Sequence, residues 1–158
     1  MKTIRVKKGQ VLQQKGDLNS KIYFVQSGLL RSYSIDNKGK EHIYMFAPEN
    51  WTIGDSVQPK EPAELFIDAL EDSILHVRDK NLENEKFEKV AIVRRLAVLQ
   101  RRIITLMSAT AIQRYEQFLE TYPDIAQRVP QRMIASYLGV TPETLSAAKS
   151  SALKSPEN

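Results

Sequence analysis

The sequence predicts an α+β protein whose N-terminal part is β-structure and whose C-terminal part is helical. Short β-branched and aromatic segments, with turns about every eight to twelve residues, predict a sandwich or barrel in the first part. Apolar residues then recur at alternating steps of four and three, which is typical of a long helix with one apolar face. Two short helical segments around a glycine follow, and they predict a helix-turn-helix.

The β-structure is predicted from short apolar or alternating runs separated by turn residues. The turns contain Gly16, Gly28 and Gly39, each beside a polar residue that favours a turn. Residues 47–64 hold three prolines and one glycine, and we expect them to form a loop. The predicted strands are Thr3–Lys7, Val11–Leu12, Lys21–Val25, Leu29–Ile35, His42–Phe46, Leu65–Leu70 and Ser73–Arg78.

Helical patterns replace the strands after Arg78. Residues 79–88 predict a short acidic helix that begins at an aspartate cap, Asp79. An a/d seam of about two heptads follows, which fits either a dimer interface or packing on the β-structure. A further helix is predicted at Ala111–Thr121, because the Tyr-Pro pair after it stops a helix. The seam consists of Ile92, Leu96, Leu99, Ile103 and Leu106.

The helix-turn-helix is predicted within Arg128–Lys149. Pro130 suits the first position of a helix, where the amide hydrogen that proline lacks would have no partner. Gly139 follows the last apolar residue of that helix and suits a left-handed cap. Thr141 suits the N-cap of a second helix, with Pro142 at its first position. An ordinary helical hairpin is the alternative for this stretch alone.

Composition excludes several classes of function. Among 158 residues, 42% are hydrophobic and 27% are charged, which is ordinary for a globular chain that buries a core. The absence of cysteine excludes disulfides, thiolate zinc sites, cysteine-held iron–sulfur clusters and cysteine nucleophiles. No apolar run is long enough to span a membrane, and the start has no apolar signal core, so we expect a cytoplasmic protein.

The positive charge is concentrated in the C-terminal part. Residues 1–88 hold 13 lysines and arginines against 14 acidic residues, whereas residues 89–158 hold 10 against 5. This asymmetry suits a chain that approaches a polyanion with its C-terminal part. A helical surface with few acidic residues is the alternative explanation.

Three stretches together resemble the Crp/Fnr family of transcriptional regulators: residues 7–33, 69–77 and 128–146. The last looks like the form common in Bacteroidetes-type members. The resemblance implies a cyclic-nucleotide-binding-like jelly-roll sensor domain at residues 1–88, a dimerisation helix at 89–110 and a helix-turn-helix DNA-binding domain at 111–158. It implies a homodimer that binds double-stranded DNA. Few residues follow the second helix, so a truncated wing is expected.

The resemblance also assigns residues to the DNA and dimer contacts. The five seam residues would form the dimer helix, and Gln131 and Arg132 would meet phosphates. The second helix would enter the major groove, although Ala147 stands where members usually carry an arginine that could read a guanine. The residues expected near DNA on that side are Thr141, Pro142, Glu143, Thr144, Ser146 and Lys149.

The sensor domain differs from a cyclic-nucleotide site. Tyr44 and Trp51 could line a pocket or simply belong to the core. Gly54 and Asp55 stand where the family has a Gly-Glu pair, and no arginine stands near Ala63, where the family has an Arg-Ala pair. A cyclic phosphate needs a guanidinium or clustered amides, so we do not expect cyclic AMP to be the effector. We expect a different small effector, which the sequence does not identify.

Enzymatic function is not expected. The two histidines, His42 and His76, lie in separate predicted strands, whereas a metal site in a barrel needs two or three clustered imidazoles and a carboxylate. No catalytic triad spacing or P-loop is present, and no cofactor is expected. Two functions therefore stay open: a dimeric DNA-binding regulator, and a sensing or scaffold protein of the same fold that has lost sequence-specific DNA binding.

Overall fold

The computed structural model describes residues 2–80 and 85–154, except for the side chains of residues 85–92, 94, 153 and 154. The chain forms two compact units that divide after residue 81. Residues 2–80 are here called the β-roll, and residues 85–154 the helical unit.

The β-roll is a jelly-roll sandwich of two four-stranded antiparallel sheets. Their strand orders are β1-β8-β3-β6 and β2-β7-β4-β5, the arrangement of two interlocked Greek keys. The predicted fold class is confirmed, as a two-layer sandwich and not a closed barrel. The strands are β1 Lys2–Val6, β2 Val11–Gln13, β3 Lys21–Ser27, β4 Leu30–Ile35, β5 Glu41–Ala47, β6 Thr52–Gly54, β7 Phe66–Ala69 and β8 Ser73–Asp79.

The core of the β-roll lies between the sheets. Alternate residues of a strand point to opposite faces, so Met45 and Ala47 of β5 both point inward and are at most 9% exposed. Val25 and Ile67 are fully buried in the same cluster. This packing pins the register, because a slip by one residue would expose every inward side chain.

Two sequence predictions about the β-roll are wrong. The segment 47–64 is not all loop: Thr52–Gly54 pairs with β3 as strand β6, too short to show an alternating pattern. Asp79 does not cap a helix, because it pairs with Lys21 at the end of β8 and forms an ion pair with it. The first described helix begins at Glu85 and belongs to one long helix; residues 81–84 lie outside the described residues.

A buried ion-pair cluster joins strands β4, β5 and β7. The Arg31 guanidinium, 6% exposed, donates to both carboxylate oxygens of Asp68, from Nε at 2.8 Å and from Nη2 at 2.9 Å. Nη1 donates to Glu41 at 2.5 Å, and the guanidinium lies 4.1 Å from the centre of the Tyr33 ring. Burial acts to lower the pKa of Arg31, but the two carboxylates outweigh it and raise that pKa above its ordinary value.

Gly28 lies where the turn between β3 and β4 meets the turn between β7 and β8. Its φ of +93° is left-handed, and a Cβ built on it would clash with the Ser73 side chain and lie 2.7 Å from the Asp72 carbonyl oxygen. The amide of Leu29 donates to Ser73 Oγ at 3.2 Å. The two turns are therefore packed so closely that only glycine fits.

Asp36 closes the hairpin between β4 and β5. One carboxylate oxygen accepts from the amides of Lys38 at 2.8 Å and Lys40 at 3.0 Å, and the other lies 2.8 Å from His42 Nε2. The hydrogen bond from His42, followed by the two amides, lowers the pKa of Asp36 to about 2. The carboxylate form therefore suits this turn better than the acid form.

We expect the Asp36 carboxyl to titrate near pH 2 in carbon-detected NMR. Since this pKa lies below the ordinary value of about 3.9, the group's contribution to stability is complete above about pH 4 and is lost as the pH falls through about 2. A His42→Ala variant should raise the midpoint. His76→Ala is the control, because His76 Nδ1 is bonded to Thr3 and not to Asp36. An unchanged midpoint in His42→Ala would contradict this assignment.

The helical unit contains one long helix and four shorter ones. Helix α2 has the predicted bounds and begins with a capping box, in which Thr110 and Gln113 bond reciprocally. Pro130 is the N-cap of α4, with ψ at 144°, and not its first helical residue as predicted. Proline serves in either place, because neither needs the missing amide hydrogen. The helices are α1 Glu85–Ser108, α2 Ala111–Thr121, α3 Ile125–Arg128, α4 Gln131–Leu138 and α5 Pro142–Lys154.

The core of the helical unit is aromatic. Phe118 of α2 is 1% exposed, and its ring centre lies 5.4 Å from that of Tyr122 and 5.5 Å from that of Tyr137. Helices α2, α4 and α5 pack on one another around this cluster. None of the described helices combines the length and apolarity that a bilayer crossing needs.

Candidate nucleic-acid interface

Helices α4 and α5 meet at a left-handed glycine, as predicted. Gly139 ends α4 with φ at 69° and ψ at 30°, and the amide of Val140 donates to the Ala135 carbonyl. Ala135 of α4 and Leu145 of α5 are both fully buried. The small side chain at position 135 lets the two helices approach closely. The helix-turn-helix is therefore present, and the hairpin alternative is unnecessary.

The threonines at the start of α5 bond to each other. Thr141 Oγ1 accepts from the Thr144 amide at 3.1 Å and lies 3.0 Å from Thr144 Oγ1. This is an N-cap contact, and it satisfies an amide that α5 itself cannot. Glu143 lies in the first turn, where the positive end of the helix dipole favours a carboxylate. Thr141 thus serves as the cap, and one of the two hydroxyls donates to the other.

One side of α5 is open and carries residues at helical spacing. The sequence predicts Glu143 and Ser146 near DNA. It did not single out Ser150, although Ser150 lies four residues after Ser146 and three after Ala147, on the same side of the helix. This side, here called the reading face, consists of Glu143, Ser146, Ala147 and Ser150, which line a shallow groove together with Gln131 and Pro142.

Seven of the eight residues predicted to meet DNA are exposed, and Lys149 is the exception. Its Nζ lies 4.7 Å from the centre of the Tyr115 ring on α2. A cation over an aromatic face gains about 0.5–1 kcal/mol at a partly exposed site. The sequence shows Lys149 on the second helix but not the ring across from it, so its position against Tyr115 could not be predicted. Arg132, at the start of α4, is exposed.

Two arginines that the sequence did not single out for this purpose bind the end of α4. The last four carbonyls of a helix have no partner within it. In α4 the first two of these accept from the turn amides that follow, and the last two accept from arginines. Arg102 of α1 donates from Nη2 to the Tyr137 carbonyl at 2.9 Å, and Arg114 of α2 donates from Nη1 to the Leu138 carbonyl at 3.1 Å.

An apolar surface runs along α1. Of the predicted seam, Leu96 and Ile103 are 60% and 57% exposed, whereas Leu106 is 36% exposed and one of its methyl groups lies 3.6 Å from the Cβ position of Gly139. The side chain of Ile92 lies outside the described residues. The exposed large apolar residues of α1 are Val93, Leu96, Val98, Ile103, Ile104, Leu106 and Met107.

The residues predicted for a ligand pocket are part of the sandwich. Tyr44 and Trp51 are partly buried and pack against the core of the β-roll. Gly54 pairs with Ile22 at the end of β6. The structure thus brings Gly54 and Asp55 to one end of β6, while the two aromatic side chains contact the core.

The Asp55 carboxylate is turned inward and saturated with donors. Asp55 is 7% exposed, and its Oδ2 accepts from the amides of Glu64 and Leu65, both at 2.8 Å, and from Gln13 Nε2 at 3.3 Å. Its Oδ1 accepts from the Val57 amide at 3.3 Å. Three backbone amides that could hold an anion therefore hold this side chain.

The two histidines lie apart, each with its own partner. His42 bonds to Asp36, and His76 to Thr3. Across the described part of the chain, no three histidine or acidic side chains are grouped as a metal site would need.

Comparison with known proteins agrees with this architecture. The model of the cyclic nucleotide-binding domain family matches residues 3–91. The nitrogen fixation regulation protein FixK of Rhizobium meliloti is 25% identical over 152 residues, covering 89% of this chain and 70% of that protein.

Solved structures share the fold over nearly the whole chain. FixK2 from Bradyrhizobium japonicum superposes with a TM-score of 0.73 at 22% identity, covering 96% of this chain and 84% of that one. A transcriptional regulator of the CRP/FNR family from Thermus thermophilus superposes with a TM-score of 0.75 at 19% identity, covering 97% and 86%. At these identities the likeness to the solved structures concerns the fold.

Proposed function

Because the chain belongs to the cyclic nucleotide-binding domain family, we propose that it is a DNA-binding transcriptional regulator of the Crp/Fnr type. It acts as a homodimer in the cytoplasm, and its β-roll senses a small effector other than cyclic AMP. The likeness of residues 128–146 to Bacteroidetes-type members is part of the same proposal.

The observation that carries the DNA-binding proposal is the open reading face on a well-formed helix-turn-helix. Helix α4 buries Ala135 and ends at the left-handed Gly139. Helix α5 is therefore held in place with its reading face exposed. Such a helix fits the major groove. Glu143 can accept from a cytosine amine, and Ser146 and Ser150 can bond to base edges or phosphates.

The dimer proposal rests on the apolar surface of α1. Leu96, Ile103 and Met107 are 60%, 57% and 81% exposed, and apolar side chains of this size contiguous along one helix usually mark an interface. A second copy of α1 supplies a partner of matching chemistry, and the seam repeat suits helix-to-helix packing. A two-fold dimer also presents two reading faces, as a palindromic site requires.

The effector proposal rests on Asp55. The amides of Glu64 and Leu65 already hold its carboxylate, and a cyclic phosphate at that place would meet an anion where it needs donors. The effector of this β-roll is therefore a molecule that binds without displacing Asp55, or one that carries no phosphate.

The reading face also favours a second candidate. It has one carboxylate and no cation, and Lys149 lies against Tyr115. Nonspecific affinity for DNA comes mainly from cations, so a sensing or scaffold protein that keeps the fold without sequence-specific binding is the alternative. A chain that stays dimeric yet ignores DNA at low salt would support it.

Selection from random duplexes with the purified chain tests the proposal. We expect enrichment of a palindrome whose affinity falls steeply between low and physiological salt. Arg132→Ala should weaken binding almost equally for all sequences and reduce the salt slope by about 1. Lys149→Ala should weaken binding less than Arg132→Ala does, because Lys149 lies over the Tyr115 ring. Arg5→Ala is the control, because Arg5 is an exposed arginine of strand β1 in the β-roll. Equal affinity for selected and random duplexes would refute the regulator.

A further inference from the structure

The junction between α1 and the helix-turn-helix is held by two arginines, Arg102 and Arg114, here called the arginine pair. Residues 109 and 110 are the covalent link between α1 and α2. The arginine pair adds hydrogen bonds across this link in both directions: Arg102 reaches from α1 to α4, and Arg114 reaches from α2 to both α1 and α4.

Arg114 binds three carbonyls at once. Nη2 donates to Leu106 at 2.7 Å in the last turn of α1, Nε donates to Ala109 at 3.1 Å in the link, and Nη1 donates to Leu138 at 3.1 Å at the end of α4. Helices α1 and α4 both direct the negative ends of their dipoles at the Arg114 guanidinium. A guanidinium carries its donors in a fixed plane, so three simultaneous bonds define an angle as well as a distance.

Arg102 adds a second point of attachment. Its Nη2 donates to the Tyr137 carbonyl at 2.9 Å, and its guanidinium lies 4.0 Å from the centre of the Tyr137 ring. Tyr137 belongs to the aromatic cluster around Phe118, so α1 is tied to the core of the helix-turn-helix and not only to its surface. Two attachments at different points prevent rotation about either one.

We propose that the arginine pair sets the angle between α1 and α5 and thereby the half-site spacing that the dimer accepts. The inference rests on the proposed dimeric regulator. If α1 is the dimer helix, the separation and tilt of the two reading faces depend on how the two α1 helices pair and on how each helix-turn-helix is held on its α1. Changing the spacing by one base pair rotates the second half-site by roughly 35°, so a rigid junction distinguishes spacings and a loose one does not.

Arg114→Lys and Arg102→Lys test the role of the pair, because each keeps the charge and loses the planar set of donors. Affinity is measured for one selected palindrome, for versions with one base pair more or less between the half-sites, and for a single half-site. The wild-type chain should prefer one spacing by roughly tenfold or more, and each variant should prefer it by less than roughly threefold, with single half-site affinity unchanged. Arg101→Lys is the control, because Arg101 bonds only weakly, at 3.4 Å, to Ala97 of its own helix.

A measurement without DNA shows whether a lost spacing preference comes from a loosened junction or from unfolding of the variant. The chain has no cysteine, so Ser150→Cys, on the exposed reading face, places one spin label on each protomer. Electron–electron distance measurements should give one narrow distribution, which Arg114→Lys widens to roughly twice its width and Arg101→Lys leaves unchanged. Circular dichroism of each variant reports whether the helices remain.

The outcomes separate the inference from the function on which it rests. Folded arginine-pair variants that keep the spacing preference and the narrow distribution overturn the inference while leaving the regulator intact. A wild-type chain that shows no distance between protomers, or no preference among duplexes, overturns the proposed dimeric regulator and the inference with it. Loss of single half-site affinity in the variants also overturns the inference, because it would place the arginines in DNA contact or in folding.

Discussion

Asp68→Ala should lower the free energy of unfolding of the β-roll by about 3–5 kcal/mol, the usual cost of breaking a buried ion pair from one side. The variant leaves Arg31, which is 6% exposed, without the carboxylate that accepts two hydrogen bonds from its guanidinium. Trp51, the only tryptophan, lies in the β-roll, so its fluorescence during urea unfolding reports on this unit alone.

Two variants test whether the unpaired charge causes the loss. Glu41→Ala removes the more exposed partner, whose side chain is 45% accessible, and should cost less than about 1 kcal/mol. Arg31→Met combined with Asp68→Leu removes both charges of the buried pair. This double variant should recover most of the lost stability, because buried apolar side chains need no hydrogen-bond or ion-pair partner. A double variant as unstable as Asp68→Ala would show that packing, and not charge, holds these strands.

Gly28→Ala should destabilise the β-roll by roughly 2–5 kcal/mol. About 1–2 kcal/mol comes from the left-handed backbone, and about 1–3 kcal/mol from overpacking against the Ser73 side chain and the Asp72 carbonyl. The Asp72 carbonyl belongs to the backbone of the neighbouring turn, so relief requires the two turns to separate. The same fluorescence measurement with Trp51 reports the change.

Gly16 offers a matched control. Its φ of +94° is nearly that of Gly28, but a Cβ there would meet nothing within 4 Å. Gly16→Ala should therefore cost only the backbone share, about 1–2 kcal/mol. Equal losses at the two positions would mean that the close approach of the turns at Gly28 adds nothing to the requirement for glycine.

Features that depend on neighbouring residues could be predicted from the sequence. The end of α4 at Gly139 and the cap of α5 at Thr141 each need residues within one turn of themselves, and the sequence displays those residues in order. The bounds of α2 follow from Thr110 and from the Tyr122-Pro123 stop in the same way. The sandwich was predictable as a class, because alternation and turn residues recur in every hairpin.

Features that depend on distant residues could not be predicted. Strand β6 has three residues and is defined by its partner β3, and Asp79 has the composition of a helix cap but pairs with Lys21, 58 positions away. Lys149 follows the buried Leu145 by four residues, which places it near the packed side of α5, but the Tyr115 ring that it contacts lies 34 positions away in the sequence. Carbonyl partners such as those of Arg114 leave no trace in the sequence, since every residue has a carbonyl.

The saturated carboxylate of Asp55 has a consequence for competition. A side chain tethered two to ten residues from the amides it binds is present at an effective concentration of at least millimolar order, whatever the composition of the solution. A dissolved anion that is to bind those amides must exceed this local concentration or bring further contacts of its own. The anion concentration needed to displace Asp55 is thus set by a covalent tether, and it does not vary with the amount of protein.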